Sequence, residues 1–273
     1  MARGLHPAAV WGLLKEARAA LEDARPLLVT GPGAEQLVLE LSSGGSSGAL
    51  RTSGRVQDAA ALVRVLAGRT TDADERELRA ANRARVPIVA VQTGAGEGPD
   101  VPYVLATDVI ACPPGAGFPL DGIAHALAAR LGESGTTLAS RLPVLRAAVC
   151  DELIESFARK NGVLGAAIFV PGADFPVLTL NQLRLVLRLA SAYGVEVDQS
   201  RVPEILATIG AGFGFRAVAR QLLGAVPVAG WAVKGAIAYG GTRVLGEAAR
   251  RYFATLASSS SLASHSSKSA SKG

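Results

Sequence analysis

The sequence predicts an α/β domain built on a parallel sheet, followed by an all-helical domain. Two observations carry this. Up to about residue 133, short apolar runs alternate with helical segments of about 10–15 residues, the pattern of strands joined by crossover helices. From residue 134 onward the helical periodicity continues and no strand-like run appears. A third feature, the glycine-rich and acid-poor stretch "GAGFGFRAVARQLLGAVPVAGWAVKGAIAYGG" at 210–241, sets the functional question.

The first 25 residues read as an amphipathic helix ended by Pro26. Trp11, Leu14 and Leu21 fall on one side, and Lys15, Arg18 and Glu22 largely on the other. Lys15 and Glu16 interrupt the apolar stretch, so it does not read as a secretory signal. The α/β domain is placed at 26–133. "PLLVTGPG" supplies a short apolar run and a Gly-Pro-Gly turn, followed by a second apolar segment. Next come a buried strand near 60–66, a helix over 72–85 opened by Thr71 or Asp72, and a strand at 88–92. "VPYVLATDVIAC" adds a strand-like run, and "FPLDGIAHALAARLG" a helix closed by Gly132.

The helical domain is placed at 134–257. "SRLPVLRAAVCDELIESFARKNG" reads as a helix with an Asn-Gly stop. "TLNQLRLVLRLASAYG" reads as one opened by a Thr179–Gln182 capping box and stopped at Gly194. Two further helical segments follow, joined by a turn around Pro227. The Ser-rich tail, 258–273, buries too little to offset its ordering entropy and is expected to be disordered.

Hydrophobic residues make up 49% of the 273, enough for a sizeable core, while aromatics are only 5%. Formal net charge is +5, carried mostly by arginine. An Arg-heavy, Ala-rich composition also arises from a GC-rich genome. No nucleic-acid-reading motif accompanies it, and the interleaved aromatics of a single-strand platform are missing, so no nucleic-acid partner is expected. Cys112 and Cys150 lack a CxxC pairing and read as reduced buried thiols. With His6, His125 and His265 scattered, no zinc site or other cofactor is expected.

A strand, Gly31 and a helix-like segment stand where a phosphate loop would sit. That chemistry needs G-x-x-x-x-G-K-[ST]: backbone N–H groups around the phosphates, a lysine to neutralise them and a hydroxyl for magnesium. Here "GPGAEQLV" puts Gln36, Leu37 and Val38 at the second glycine, lysine and hydroxyl positions. Pro32 removes a donor, and Glu35 adds a negative charge. After "VPIVAV", where a GTPase places N-K-x-D, the chain reads "QTGA". No D-x-x-G lies between 39 and 60. No GTP hydrolysis is expected. The remaining acidic candidates are Asp151, Glu152 and Glu155, a run typical of a solvated helix face, and Asp174 in "PGADFPV", which suits a turn or cap. No catalytic residue is assigned.

The order of these features resembles an Era-type GTPase domain followed by the bacterial helical "domain of unknown function 697". The resemblance lies chiefly in "PGADFPVLTLNQLRLVLRLASAYG" at 171–194 and "GAGFGFRAVARQLLGAVPVAGWAVKGAIAYGGTRVLGEAARRYF" at 210–253. In layout it extends to "RVPIVAVQTG" and "ACPPGAGFPLDGIAHALAARL". It implies a degenerate GTPase-like sheet, a pseudo-GTPase, joined to a helical domain sometimes held to be membrane-associated.

Three readings of 210–241 compete. A dinucleotide loop fails because Phe215 stands where the third glycine belongs and a helical segment precedes it. A membrane hairpin over 202–242 must take in Arg216 or Lys234, each costing about 2.5–3.5 kcal/mol at mid-bilayer. Soluble helix packing uses Gly210 and Gly214, four apart, to let a neighbouring backbone approach, with Gly224, Pro227 and Gly230 turning one helix onto the next. Arg216, Arg220 and Lys234 contribute to a basic surplus suited to an acidic partner or to anionic lipid, and Trp231 serves as core or as an interfacial anchor. The expected function is a non-catalytic scaffold or interaction protein in the cytoplasm. The alternative is an inner-membrane-associated protein. A protein partner, with a true GTPase as one option, and a membrane surface both stay open.

Overall fold

The computed structural model describes residues 7–94, 100–167, 175–198, 200, 202, 204–205, 207–208 and 231–270. The chain divides into two compact units, one formed by Glu22–Glu152 and the other by Met1–Leu21 with Leu153–Gly273.

The first unit holds a five-stranded, wholly parallel sheet in the order β2-β1-β3-β4-β5. The strands are β1 (Leu27–Thr30), β2 (Leu50–Arg51), β3 (Ala61–Ala67), β4 (Ile88–Thr93) and β5 (Val109–Cys112). Helices α2 (Ala34–Leu41), α3 (Asp72–Arg83), α4 (Leu120–Leu131) and α5 (Gly135–Arg141) belong to the same unit. The predicted parallel α/β arrangement is therefore present, with the short edge strand β2 added to what the sequence suggested.

Alternation along the strands decides what each face buries. Leu28, Leu62, Leu66, Ile88 and Ala90 form one core with Leu78 and Ala81 of α3. Val63, Val65, Val89 and Val91 alternate with them onto the opposite face and have 0% exposure. Arg64 breaks the apolar run of β3, and α3 neutralises it. Its guanidinium pairs with Asp74 and, at 2.6 Å, with Glu77. Asp74 also completes the capping box at the start of α3: Thr71 donates its N–H (2.8 Å) and its hydroxyl (2.6 Å) to the carboxylate.

Burial pushes the Asp74 carboxyl up, but the Thr71 hydrogen bonds and the Arg64 guanidinium outweigh it and hold the group below its ordinary range. A depressed folded-state pKa stabilises fully above the unfolded value, about 3.9, and that stabilisation is lost as pH falls through the folded pKa. Asp74→Asn is expected to cost about 2 kcal/mol at neutral pH. The difference from wild type should shrink at acid pH, as measured by urea unfolding from pH 7 to pH 3.

The sheet unit runs past residue 133, where the sequence placed a boundary. The segment after α4 packs back on it: a Cβ on Gly135 would lie 3.3 Å from both Leu131 Cβ and Val149 Cγ2. Arg141 donates to the carbonyls of Ala24 (3.0 Å), Arg25 (3.1 Å) and Gly48 (3.0 Å).

The second unit is helical, and no strand occurs among its described residues. It contains all but the last residue of α1 (Pro7–Glu22), most of α6 (Arg146–Ala167), α7 (Phe175–Ala192) and α8 (Trp231–Ala270). Four expectations change here. The N-terminal helix groups with this unit, and Trp11 is 59% exposed, because Val10, Leu13, Leu14 and Ala17 make the inward stripe. Asn161-Gly162 does not stop α6, since both residues are engaged by α8. α7 starts before Thr179, so that residue is not its cap, although the stop at Gly194 holds: φ is +71° and Val195 N–H bonds Ala190 O at 2.9 Å. Finally, α8 continues to Ala270 through the tail expected to be disordered. Elongating a formed helix avoids the cost of nucleation, and the Ser258 hydroxyl donates back to Ala254 O at 2.9 Å.

Candidate functional site

In a parallel sheet of this order the chain reverses its direction of travel between β1 and β3. Ligands of such folds bind outside the carboxyl ends of the strands at that point. Here the edge is turned on itself. Gly31 follows β1 with φ +101°, and a Cβ on it would lie 2.0 Å from the backbone oxygen of Val65 in β3. Gly33, left-handed at φ 79°, opens α2 without a side-chain cap, and Glu35 stands in the first turn. The Phe118 ring reaches within 3.4 Å of the Cβ position of Gly33.

At the end of β1 the Thr30 hydroxyl is buried without a hydrogen-bond partner, whereas the side chains that end β4 serve neighbouring backbone. Gln92 Nε2 donates to Gly68 O (3.3 Å) and the Thr93 hydroxyl to Leu66 O (3.1 Å). The Cys112 thiol faces the carbonyls of Ala116 (3.8 Å) and Gly117 (3.6 Å). Gln92 and Thr93 are the positions where a GTPase would place its base-reading Asn and Lys. Cys112 and Cys150 are both buried thiols outside any disulfide, as expected.

The helical unit concentrates its polar chemistry between α6, α7 and α8. Asn161 and Thr242, both 0% exposed, bond at 2.9 Å from Asn161 Nδ2 to Thr242 Oγ1. Asn181 Nδ2 donates to Asn161 Oδ1 at 3.0 Å, so one buried asparagine links three helices. The Thr242 hydroxyl donates to Ala238 O at 2.8 Å. Such a satisfied network fixes register, because sliding any helix orphans a buried amide.

Glycines bring the helices close enough for it. A Cβ on Gly165 would stand 2.8 Å from Ala238 Cβ, and one on Gly235 2.9 Å from Gly162 O. One on Gly246 would stand 2.7 Å from Ile154 Cγ1. Nearby, the Tyr239 hydroxyl donates to Glu155 Oε2 (2.9 Å), and Arg243 and Arg159 lie 3.7 and 3.5 Å from the same carboxylate. Glu155, an acidic candidate in the sequence, is thus part of a polar clasp between α6 and α8.

No family model matches the chain, and no curated protein matches it. The candidate site therefore rests on its own residues.

Of the residues singled out in the glycine-rich stretch, Gly210, Gly214, Arg216, Arg220, Gly224, Pro227 and Gly230 lie outside the described residues, as does Asp174. Trp231 begins α8, and Lys234 is exposed. Lys234 joins the packing through its backbone: its carbonyl oxygen is 3.2 Å from the Cβ position of Gly165. Sequence reasoning missed Gly162, Gly165, Gly235 and Gly246 as the glycines of close approach. Their signal was available in the three-residue spacing of Gly162 and Gly165. Among the described residues no three metal-ligating side chains cluster, and no helix is long and apolar enough to cross a membrane.

Proposed function

We propose that the chain is a non-catalytic scaffold, a pseudo-GTPase-like α/β platform joined to a helical module that binds a protein partner. The observation that carries this reading is the state of the sheet's carboxyl edge. Gln92 and Thr93 stand where base recognition would be, and both donate to the sheet's own backbone. Gly31 is required by its approach to Val65, independently of any phosphate. A ligand entering this edge would have to break those bonds and displace Phe118 from the start of α2, leaving half-buried polar groups to be satisfied again. The helical unit, by contrast, is organised around a satisfied polar core, the kind of rigid support from which an interaction surface is presented.

Titration with a fluorescent GTP analogue and magnesium tests the platform reading. No saturable binding into the micromolar range and no phosphate release are expected. Micromolar affinity with turnover would overturn it.

A further inference from the structure

Helix α1 lies along α7. Val10, Leu13, Leu14 and Ala17, at helical i, i+3, i+4, i+7 spacing, pack on Leu183, Leu187 and Val202. Beside this stripe a single carboxylate oxygen of Glu16 receives the guanidinium groups of both Arg184 and Arg188, four residues apart on α7.

Two features mark this contact as one that opens. No side chain described on α1 is fully buried, whereas Leu183 and Leu187 beneath it are 2% and 3% exposed. The groove is thus more completely buried than the half-buried stripe of its occupant. The fit is also incomplete: a small solvent-open cleft of ≈ 20 Å³ remains between Leu14, Ala17 and Leu21 on α1 and Leu187, Val195 and Val197 below. The small side chain of Ala17 leaves unfilled space where a longer one would bury apolar surface.

We propose that α1 is a displaceable strap over an apolar and cationic groove on α7, whose partner is an amphipathic helix of another protein. That helix repeats the apolar stripe, carries a carboxylate at the Glu16 position and bears a larger aliphatic side chain where α1 has Ala17. The inference rests on reading the helical unit as the interaction module and names its partner's chemistry. A second copy of this chain is the weaker occupant, because its α1 would leave the same cleft. It would also have to displace a tethered competitor of high effective concentration. A helix that fills the cleft gains apolar contact that α1 lacks, and so overcomes the tether.

The test uses fluorescent peptides of residues 7–22, unmodified and with Ala17→Leu, titrated by anisotropy into the full chain. The Leu-bearing peptide is expected to bind wild type about tenfold tighter than the unmodified one. A Glu16→Lys chain, its strap loosened, should take up both peptides about tenfold tighter than wild type does. A chain with Arg184→Glu and Arg188→Glu should bind neither, yet regain a peptide carrying Glu16→Lys, which a merely misfolded chain would not do. Equal affinity of the first two peptides, or no gain in the Glu16→Lys chain, overturns the proposal. Dimerisation of that chain without peptide uptake overturns it in favour of exchange between copies. Nucleotide turnover would defeat the platform reading and leave these peptide results untouched, so the two failures are distinguishable.

Discussion

Replacing Gly31 with alanine is expected to unfold the sheet unit under conditions where the wild-type chain stays folded. Two costs combine at this residue. Its φ of +101° lies where L-residues are strained, a cost of about 1–2 kcal/mol. The added Cβ would also sit 2.0 Å from the Val65 carbonyl oxygen and 3.0 Å from its carbon. Those atoms are backbone in the middle of β3, paired through its neighbours to both β1 and β4. No rotamer change relieves the overlap, so β1 must shift against the central strand. We expect a loss of about 4 kcal/mol or more, in the range reserved for core overpacking and backbone strain together. Gly48→Ala isolates the first cost: its φ is +81° with nothing within 4 Å of the added atom, so only about 1 kcal/mol should be lost. Thermal unfolding of both variants, with hydrogen exchange followed in β1 and β3, measures the difference. Equal losses would show that the turn after β1 is not held against β3.

The same residue shows what the sequence can and cannot say. Gly31 was recognisable as a glycine that the chain needs, and its place after a strand suggested a phosphate loop. The reason it is needed is an atom of β3 more than thirty positions away, which no local pattern contains. Where the determinants are local, reading succeeded: the apolar runs that gave β3 and β4, the start of α3 at Thr71 or Asp72, and the stops at Gly132 and Gly194 are all properties of neighbouring residues. Where a distant helix decides, it failed. Asn161-Gly162 has the local chemistry of a helix stop, yet Thr242 and Asn181 satisfy the asparagine and the α8 backbone covers the glycine, so α6 continues. Trp11 shares a helical face with Leu14 on a wheel, but the position of α7 sets which part of that face is covered. The candidate functional residues of the helical unit fall in this second class. The stretch first singled out drew attention by its glycine content, while the described close approaches lie at its end and in α6.

Gly235→Val is expected to loosen α8 from α6, destabilising the helical unit by about 3 kcal/mol. Gly235 sits inside a long helix, where glycine ordinarily costs roughly 0.5–1 kcal/mol relative to alanine. By propensity alone, a larger residue should therefore stabilise. The packing reverses the sign. A Cβ here would be 2.9 Å from the Gly162 carbonyl oxygen and 3.2 Å from Ala166 Cβ, and α6 answers with Gly162 and Gly165 against the α8 backbone. Separating the helices to admit a side chain would also stretch the Asn161–Thr242 bond, 2.9 Å long and fully buried, so overpacking and an orphaned amide add together. Gly240 supplies the internal control. It lies in the same helix with nothing within 4 Å of its Cβ position, and Gly240→Ala is expected to raise stability by about 0.5–1 kcal/mol. Opposite shifts in denaturant midpoint for two glycines five residues apart would identify the close helix contact as the cause. If Gly235→Val and Gly240→Ala both stabilised, α8 would owe nothing to glycine at position 235, and the close contact with α6 would not form in solution.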